Sequence, residues 1–413
     1  MTDTTADTSP TEAQHLGRRR VLGALCVTEI TSWGILYYAF PVLAPSISAD
    51  TGWSTTSIVA AFTVGQLVAA LVGIPVGRVL DRHGPRWVMT TGSIIAVPAV
   101  VVIATAPSLP VFYIGWVVAG VAMGAVLYPP AFAALTRWWG GDRVRALMIL
   151  TLAAGLASTV FAPVTAALMG RFDWRSTYVV LAAFLLVVTV PSHAFGLRGS
   201  WPPAHPGVHA APPESRSAIS RSRPFLVLTA SLAVAAFASF AAVFNLVPLL
   251  LERGVDATLA ATTLGLGGAG QVLGRLGYLP LQRLTGTRGR TASVIAATAL
   301  TTALLGLATS TLALVFLAVG AGLARGIFTL VQATAITDRW GPVHYGHLGG
   351  IMNAPIVITM AFGPWGGAVL AEWTGSYAHA FLVLGVIAGS AAGLAAFSMP
   401  GVRSGRFSVR GRS

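Results

Sequence analysis

The sequence predicts an all-α membrane protein, with twelve transmembrane helices in two six-helix bundles and both termini cytoplasmic. Three observations carry the membrane helices and their orientation, and the division into two bundles follows from the linker described below. The 413 residues are 55% hydrophobic and 9% charged, with mean hydropathy +0.75, whereas soluble domains carry about a quarter charged residues. About twelve apolar runs of roughly 18–28 residues are each long enough to cross about 30 Å of hydrocarbon as a helix; barrel strands would be shorter and would alternate. All 26 basic residues are Arg. Of these, Arg171, Arg175 and Arg253 fall on one side of the runs, Arg275 and Arg325 fall inside them, and all the others share the opposite side. That bias marks the cytoplasmic face.

The elements follow in order. Segment 1–17 is Thr/Ala/Asp-rich and is expected to be a disordered cytoplasmic tail. Arg18-Arg19-Arg20 then leads into a long apolar run with no small-residue cleavage site, so the first helix is expected to be retained. The N-terminal bundle, 18–197, holds helices over 21–43, 56–80, 86–106, 110–136, 144–169 and 177–197. Gly115, Gly120 and Gly124 suit the fourth to close packing. Residues 198–223, with Pro202, Pro203, Pro206, Pro212 and Pro213, read as a polar cytoplasmic linker that crosses nothing. The C-terminal bundle, 224–400, holds helices over 224–251, 257–282, 291–309, 312–336, 347–371 and 377–399, and 401–413 is a basic tail. The lone Cys26 excludes an internal disulfide. The absence of Lys and the Ala-rich helices suggest a GC-rich bacterial source, hence the bacterial inner membrane.

The loop between the second and third runs is short and charged: Gly77-Arg78-Val79-Leu80-Asp81-Arg82-His83-Gly84-Pro85-Arg86. Gly77 allows close helix approach, Gly84 permits the tight reversal, and Asp81 can pair with an arginine or with a helix N-terminus. The pattern Gly-x-x-x-Asp-Arg-x-Gly-x-Arg resembles the loop signature of the major facilitator superfamily of secondary transporters. The resemblance implies the two-bundle facilitator fold and a cytoplasmic gate formed by Gly77, Asp81, Arg82, Gly84 and Arg86. A topogenic loop with no moving part is the alternative reading. The second half echoes the loop in Arg283-Leu284-Thr285-Gly286-Thr287-Arg288, with Gln282 where Asp81 stood. Trp174-Arg175 matches a pair common in the family's outer loop.

An ionisable residue at bilayer depth costs at least about 2.5–3.5 kcal/mol on insertion scales and marks function by default. Glu29 lies nine residues past Arg20, about 14 Å into the membrane, with Ser32, Trp33 and Tyr37 on its face. It is a candidate proton carrier, or else a fixed partner of a buried arginine. Arg275 has Gln271 on its face and Gly267, Gly268, Gly270 and Gly274 to leave room around it. Its guanidinium can hold a carboxylate through two hydrogen bonds. Arg275-Leu276-Gly277 resembles the eighth-helix arginine of oxalate/formate and monocarboxylate transporters, which implies substrate contact. Against the animal branch, Gln271 replaces an acid and Val42 replaces a lysine. Arg325 is a second anion ligand or the partner of Glu29. Tyr37, Asn245 and Asn353 are further substrate candidates, each of which could instead be interhelical glue.

With Glu29 ionised, the three buried charges sum to a net positive site, and more so when it is protonated. This suits a small organic anion, a carboxylate, moved with a proton or by exchange. The Gly-rich stretch Gly265–Gly270 lies in an apolar helix and is no phosphate cradle, so neither ATP nor a cofactor is expected. Neither is an enzyme, a metal site or nucleic-acid binding. A monomer in contact with lipid is expected. Two rival readings are a proton-driven drug efflux pump on the same fold and a facilitator-fold sensor that transports nothing.

Overall fold

The computed structural model describes residues 12–199, 201 and 216–399. Residues 1–11, most of the linker and the 401–413 tail lie outside the described residues. Among the described residues every element is a helix. α1 (Glu12–Trp33) passes through a π-helical turn (Gly34–Tyr38) into α2 (Ala39–Thr51). The first helical path therefore runs from 12 to 51 rather than from 21 to 43. Residues 12–17 of the expected disordered tail are helical, because extending an existing helix adds one hydrogen bond per residue without new nucleation.

α3 (Thr55–His83), α4 (Pro85–Thr105) and α5 (Leu109–Val126) follow. The expected 110–136 helix is broken at Leu127, and α6 (Tyr128–Trp139) restarts with prolines in its first turn, where no N–H is needed. α7 (Arg143–Ala154) and α8 (Ala157–Met169) divide the fifth expected helix at Gly155. α9 (Trp174–Phe184) continues into two π-helical segments, Leu185–Thr189 and Ser192–Gly196. The short α10 (Arg216–Ser220) lies inside the expected linker. Then come α11 (Arg223–Phe244), α12 (Leu246–Glu252) and α13 (Ala257–Gly274), a 3-10 turn (Arg275–Gly277) and α14 (Tyr278–Leu284). The chain closes with α15 (Thr287–Leu307), α16 (Thr311–Thr334), α17 (Thr337–Trp340), α18 (Tyr345–Thr374) and α19 (Tyr377–Ala395).

Among the described residues, ten helical stretches are long and apolar enough to cross a membrane. That is fewer than twelve for two reasons. Leu109–Met169 counts as one stretch of 61 residues although it holds two expected helices, and the eighth expected helix, diluted by Gly, Thr, Gln271 and Arg275, falls short in apolarity. Mid-helix apolar side chains such as Val187, Leu300, Phe316 and Val386 face outward, as a lipid solvent requires.

α3, α4 and α5 pack together in the first half, while α13 packs on α16 and α15 on α19 in the second. The halves meet chiefly along α3 and α18. On the arginine-rich side one apolar core runs through both halves, from Leu80, Met89 and Leu147 to Phe225, Ile295 and Leu348. On the other side each half keeps its own core, around Phe112 and Trp116 in one and around Leu249 and Phe381 in the other. The molecule is thus sealed on its arginine-rich side.

Loop polar groups pin the far side. The Trp174 indole donates to Asp50 at 2.9 Å, and Arg175 donates to the carbonyls of Ala104 and Ala106, tying α9 to the ends of α2 and α4. Asp173 caps α9 by accepting from the Ser176 N–H at 2.7 Å, a bond that holds its carboxyl below the usual carboxylate range.

Candidate functional site

Two groups of polar residues interrupt this apolar body. One lies on the arginine-rich side. Gly84, at φ +80°, ends α3 and turns the chain into α4. One turn earlier Asp81 accepts the N–H groups of Gly346 (3.0 Å) and His347 (2.8 Å), the first turn of α18 in the other half. A carboxylate there meets unpaired donors and the positive end of the helix. Arg78 donates from Nε to His347 Nδ1 at 3.1 Å. Gly77 sits so close to Gly346 that a methyl on Gly77 would overlap the Gly346 carbonyl. The Asp81 carbonyl takes Arg137 (3.0 Å) and the Trp201 indole (3.3 Å). The other two loop arginines do not join this contact: Arg82 is exposed, and Arg86 donates to the Ala194 carbonyl of its own half.

A second contact between the halves was not foreseen. Asp338 on α17 takes Arg290 of its own half at 2.6 Å and Arg143 of the first half at 3.6 Å. The echo loop does not supply it: Gly286 has φ −71°, an ordinary extended conformation. The acid comes from another element, and in the sequence it stands beside Arg339 in a loop with no motif to mark its partners.

The second group lies at mid-depth. Glu29 is fully buried and neither carboxyl oxygen has a hydrogen-bond partner. The Trp33 indole, one turn on, faces it, but its Nε1 and Ser32 Oγ also lack partners of ordinary geometry. Glu29 is not the ion-pair partner of either arginine. Arg275, 3% exposed at the 3-10 turn, reaches across to the first half, where Nη1 donates to the Thr151 carbonyl. Its Nε is unpaired. Gln271 serves Arg325 instead, accepting from its Nε at 2.9 Å. Arg325 also lines a small cavity with Ser239, Thr298 and Thr302, with about 20 Å³ of room for a water.

The glycines near Arg275 mostly do not open space around it. Gly270 and Gly274 press α13 onto the α16 backbone, and a methyl on Gly270 would lie 2.6 Å from the Val319 carbonyl oxygen. Tyr37 belongs to a ring cluster, 5.3 Å from both Trp33 and Phe62 and 5.2 Å from Tyr38. Asn245, at the break between α11 and α12, bonds the carbonyls of Ala241 and Pro364. Asn353 accepts from Gln332 and donates to the Gly349 carbonyl, beside the seam between the halves. The structure therefore brings Glu29, Tyr37, Gln271, Arg275 and Arg325 toward one central region, and engages both asparagines in helix–helix contacts.

Two tyrosines missed by the sequence reading complete the central group. Tyr38 lies in the field of Arg275 and Arg325. Tyr128, 5.0 Å from Trp33, lies in the field of both Arg275 and Glu29. Within an apolar run a tyrosine reads as core or interface, and the helix breaks that aim these two carry only weak local signals.

The Major Facilitator Superfamily model matches residues 25–291, well over half of the chain. The chain belongs to this superfamily. It is a multi-pass membrane transporter and not an enzyme. Among curated relatives, monocarboxylate transporter 11 of Homo sapiens is 30% identical over 278 residues, covering 62% of this chain and 56% of that protein. Monocarboxylate transporter 13 of Bos taurus is 25% identical over 391 residues, covering 89% and 85%. The match to the human protein thus spans little more than half of its length. Among solved structures, the facilitator-superfamily transporter FucP in the outward conformation superposes with TM-score 0.71 at 15% identity, over 92% of this chain and 99% of that one, a likeness of fold.

Proposed function

We propose that this facilitator moves a small organic anion, a carboxylate, across a bacterial inner membrane by alternating access, with protons or by exchange. In this reading twelve helices cross in two bundles, both termini and the arginine-rich side are cytoplasmic, and the chain acts as a monomer. The sealed face is then the inner one, so the conformation described is open outward. Asp81 and its loop act as the gate, while Arg275 and Arg325, with Gln271 and Tyr37, face the substrate.

The observation that carries the proposal is the mismatch of buried charge. Two guanidiniums share the central region with one carboxyl, and that carboxyl bonds neither of them. Unbalanced cation at bilayer depth is costly, and an anionic substrate offsets it. A protonated Glu29 raises the positive charge further, which favours joint entry of anion and proton. The monocarboxylate transporter relatives agree with a carboxylate cargo.

The test is a thermal-stability screen of the purified protein against small carboxylates, since a ligand that binds only the folded form raises its melting temperature. Stabilisation by a carboxylate, lost in Arg275→Ala, is expected. The ring cluster around Trp33 favours a second reading, export of amphipathic drugs. Stabilisation by lipophilic cations and by no carboxylate would replace the first reading with that one.

A further inference from the structure

We infer that the break between α7 and α8 is a positioning device for the anion site: Thr151 and Gly155 of the first half hold the Arg275 guanidinium of the second ready for a carboxylate. The inference rests on the proposed role of Arg275 as a substrate ligand and adds what completes that site and what dismantles it.

α7 keeps α-helical bonding to its end, where the Gly155 N–H donates to the Thr151 carbonyl at 2.9 Å. The next N–H, of Leu156, reaches back only three residues to Ala153 at 2.9 Å, and α8 starts afresh at Ala157. Gly155 leaves a notch at this break, and side chains of the other half enter it. A methyl on Gly155 would overlap Arg275 Nη1 and lie 3.2 Å from Val272 Cγ2. Within the notch Nη1 donates to the Thr151 carbonyl, which thus accepts twice and uses both of its lone pairs. The 3-10 turn that carries Arg275 lies against α7 along this line.

A guanidinium is planar and rigid, so fixing one nitrogen orients the whole fork. Among the described residues the Thr151 carbonyl is its one hydrogen-bond partner, and it is neutral. Nε, on the other edge of the fork, is buried and has no partner. A carboxylate supplies both the countercharge and the acceptors for that edge. Holding Nη1 in the notch lowers the cost of ordering a long side chain at the moment of binding. The holder and the held residue belong to opposite halves. When the halves part on the arginine-rich side, the 3-10 turn leaves α7, the fork loses its orientation and the affinity for anion falls. The sealed form therefore binds and the parted form releases, and a carboxylate that prefers the sealed form also stabilises it.

The experiment measures the affinity of the full-length protein for acetate, L-lactate, benzoate and oxalate, with and without Arg275→Lys, in several backgrounds. In the wild type, Arg275→Lys weakens the best probe by about tenfold. In Gly155→Ala the methyl evicts the guanidinium, affinity falls by about tenfold, and adding Arg275→Lys changes it by less than about twofold. Gly267→Ala crowds α13 against the Ala318 carbonyl of α16 and leaves the notch alone; there Arg275→Lys keeps its full cost. A second arm leaves the notch untouched: Asp81→Asn with Asp338→Asn loosens the seal, and the cost of Arg275→Lys shrinks again. Were Arg275 only a tie between the halves, that cost would not depend on Gly155. A full cost in Gly155→Ala, or in the Asp81→Asn/Asp338→Asn pair should Gly155→Ala not fold, overturns the positioning role, as does a lost cost in Gly267→Ala. No binding of any probe, or equal affinity in the wild type and Arg275→Ala, removes the carboxylate reading on which the inference stands.

Discussion

At the scale of the residue, Arg275 shows how much of an ion site is visible in a sequence. A charge inside an apolar run is conspicuous, so Glu29, Arg275 and Arg325 stand out on composition alone. Their partners do not. Gln271, four residues before Arg275 and on the same face, bonds Arg325 instead, because the 3-10 turn redirects Arg275 toward Thr151 in the other half. Spacing along one helix cannot reveal a contact that depends on a break in it. The planar fork of Arg275 leads to a specific expectation for Arg275→Lys. The charge stays but the paired donors go, so carboxylate affinity should fall by about 1–3 kcal/mol, with a larger fall in Arg275→Ala. Titration of both purified variants measures this. Equal affinity in the wild type and Arg275→Ala would remove the arginine from the substrate site.

Helices are the scale at which expectation and structure part most. The apolar composition runs on through Leu127, Gly155 and Asn245, so periodicity joins α5 to α6, α7 to α8 and α11 to α12. Backbone chemistry separates them: Pro129 and Pro130 supply no N–H, and Asn245 turns its amide to the Ala241 and Pro364 carbonyls. Glycine placement was legible as a packing signal, yet which helix each glycine meets was not. Gly346 gives the sharpest case. A methyl there would lie 2.6 Å from the Gly77 carbonyl oxygen and 2.8 Å from Asp81 Oδ1. Gly346→Ala should therefore weaken the sealed arrangement by about 1–3 kcal/mol, as overpacking does elsewhere. Faster amide exchange at the start of α18 is the expected readout, and wild-type exchange rates would show that the seam tolerates a side chain.

Over the whole molecule, two acids tie one half to the other on the sealed face. Asp81 caps α18, and Asp338 bridges Arg143 and Arg290. The first is legible as a motif; the second is not, since Arg143 and Asp338 are far apart in the chain. Asp81→Asn should leave insertion and expression intact but slow transport, because it weakens the proposed gate and spares the central site. If the two ties act on one equilibrium between sealed and open, Asp338→Asn should add to that effect. The double variant would then shift accessibility on the arginine-rich side more than either single one, as read by amide exchange. Normal flux in Asp81→Asn at normal expression would count against the gate. The seam between these ties is peptide backbone: Gly77 against Gly346, and Gly73 against Gly350. Main chain dries there when it closes, beside the apolar side chains of the shared core, and must take up water when it parts. The transport cycle therefore has a hydration count, and its rate should respond to osmotic stress. Sucrose, excluded from newly wetted surface, favours the sealed form and should slow turnover at a constant substrate gradient.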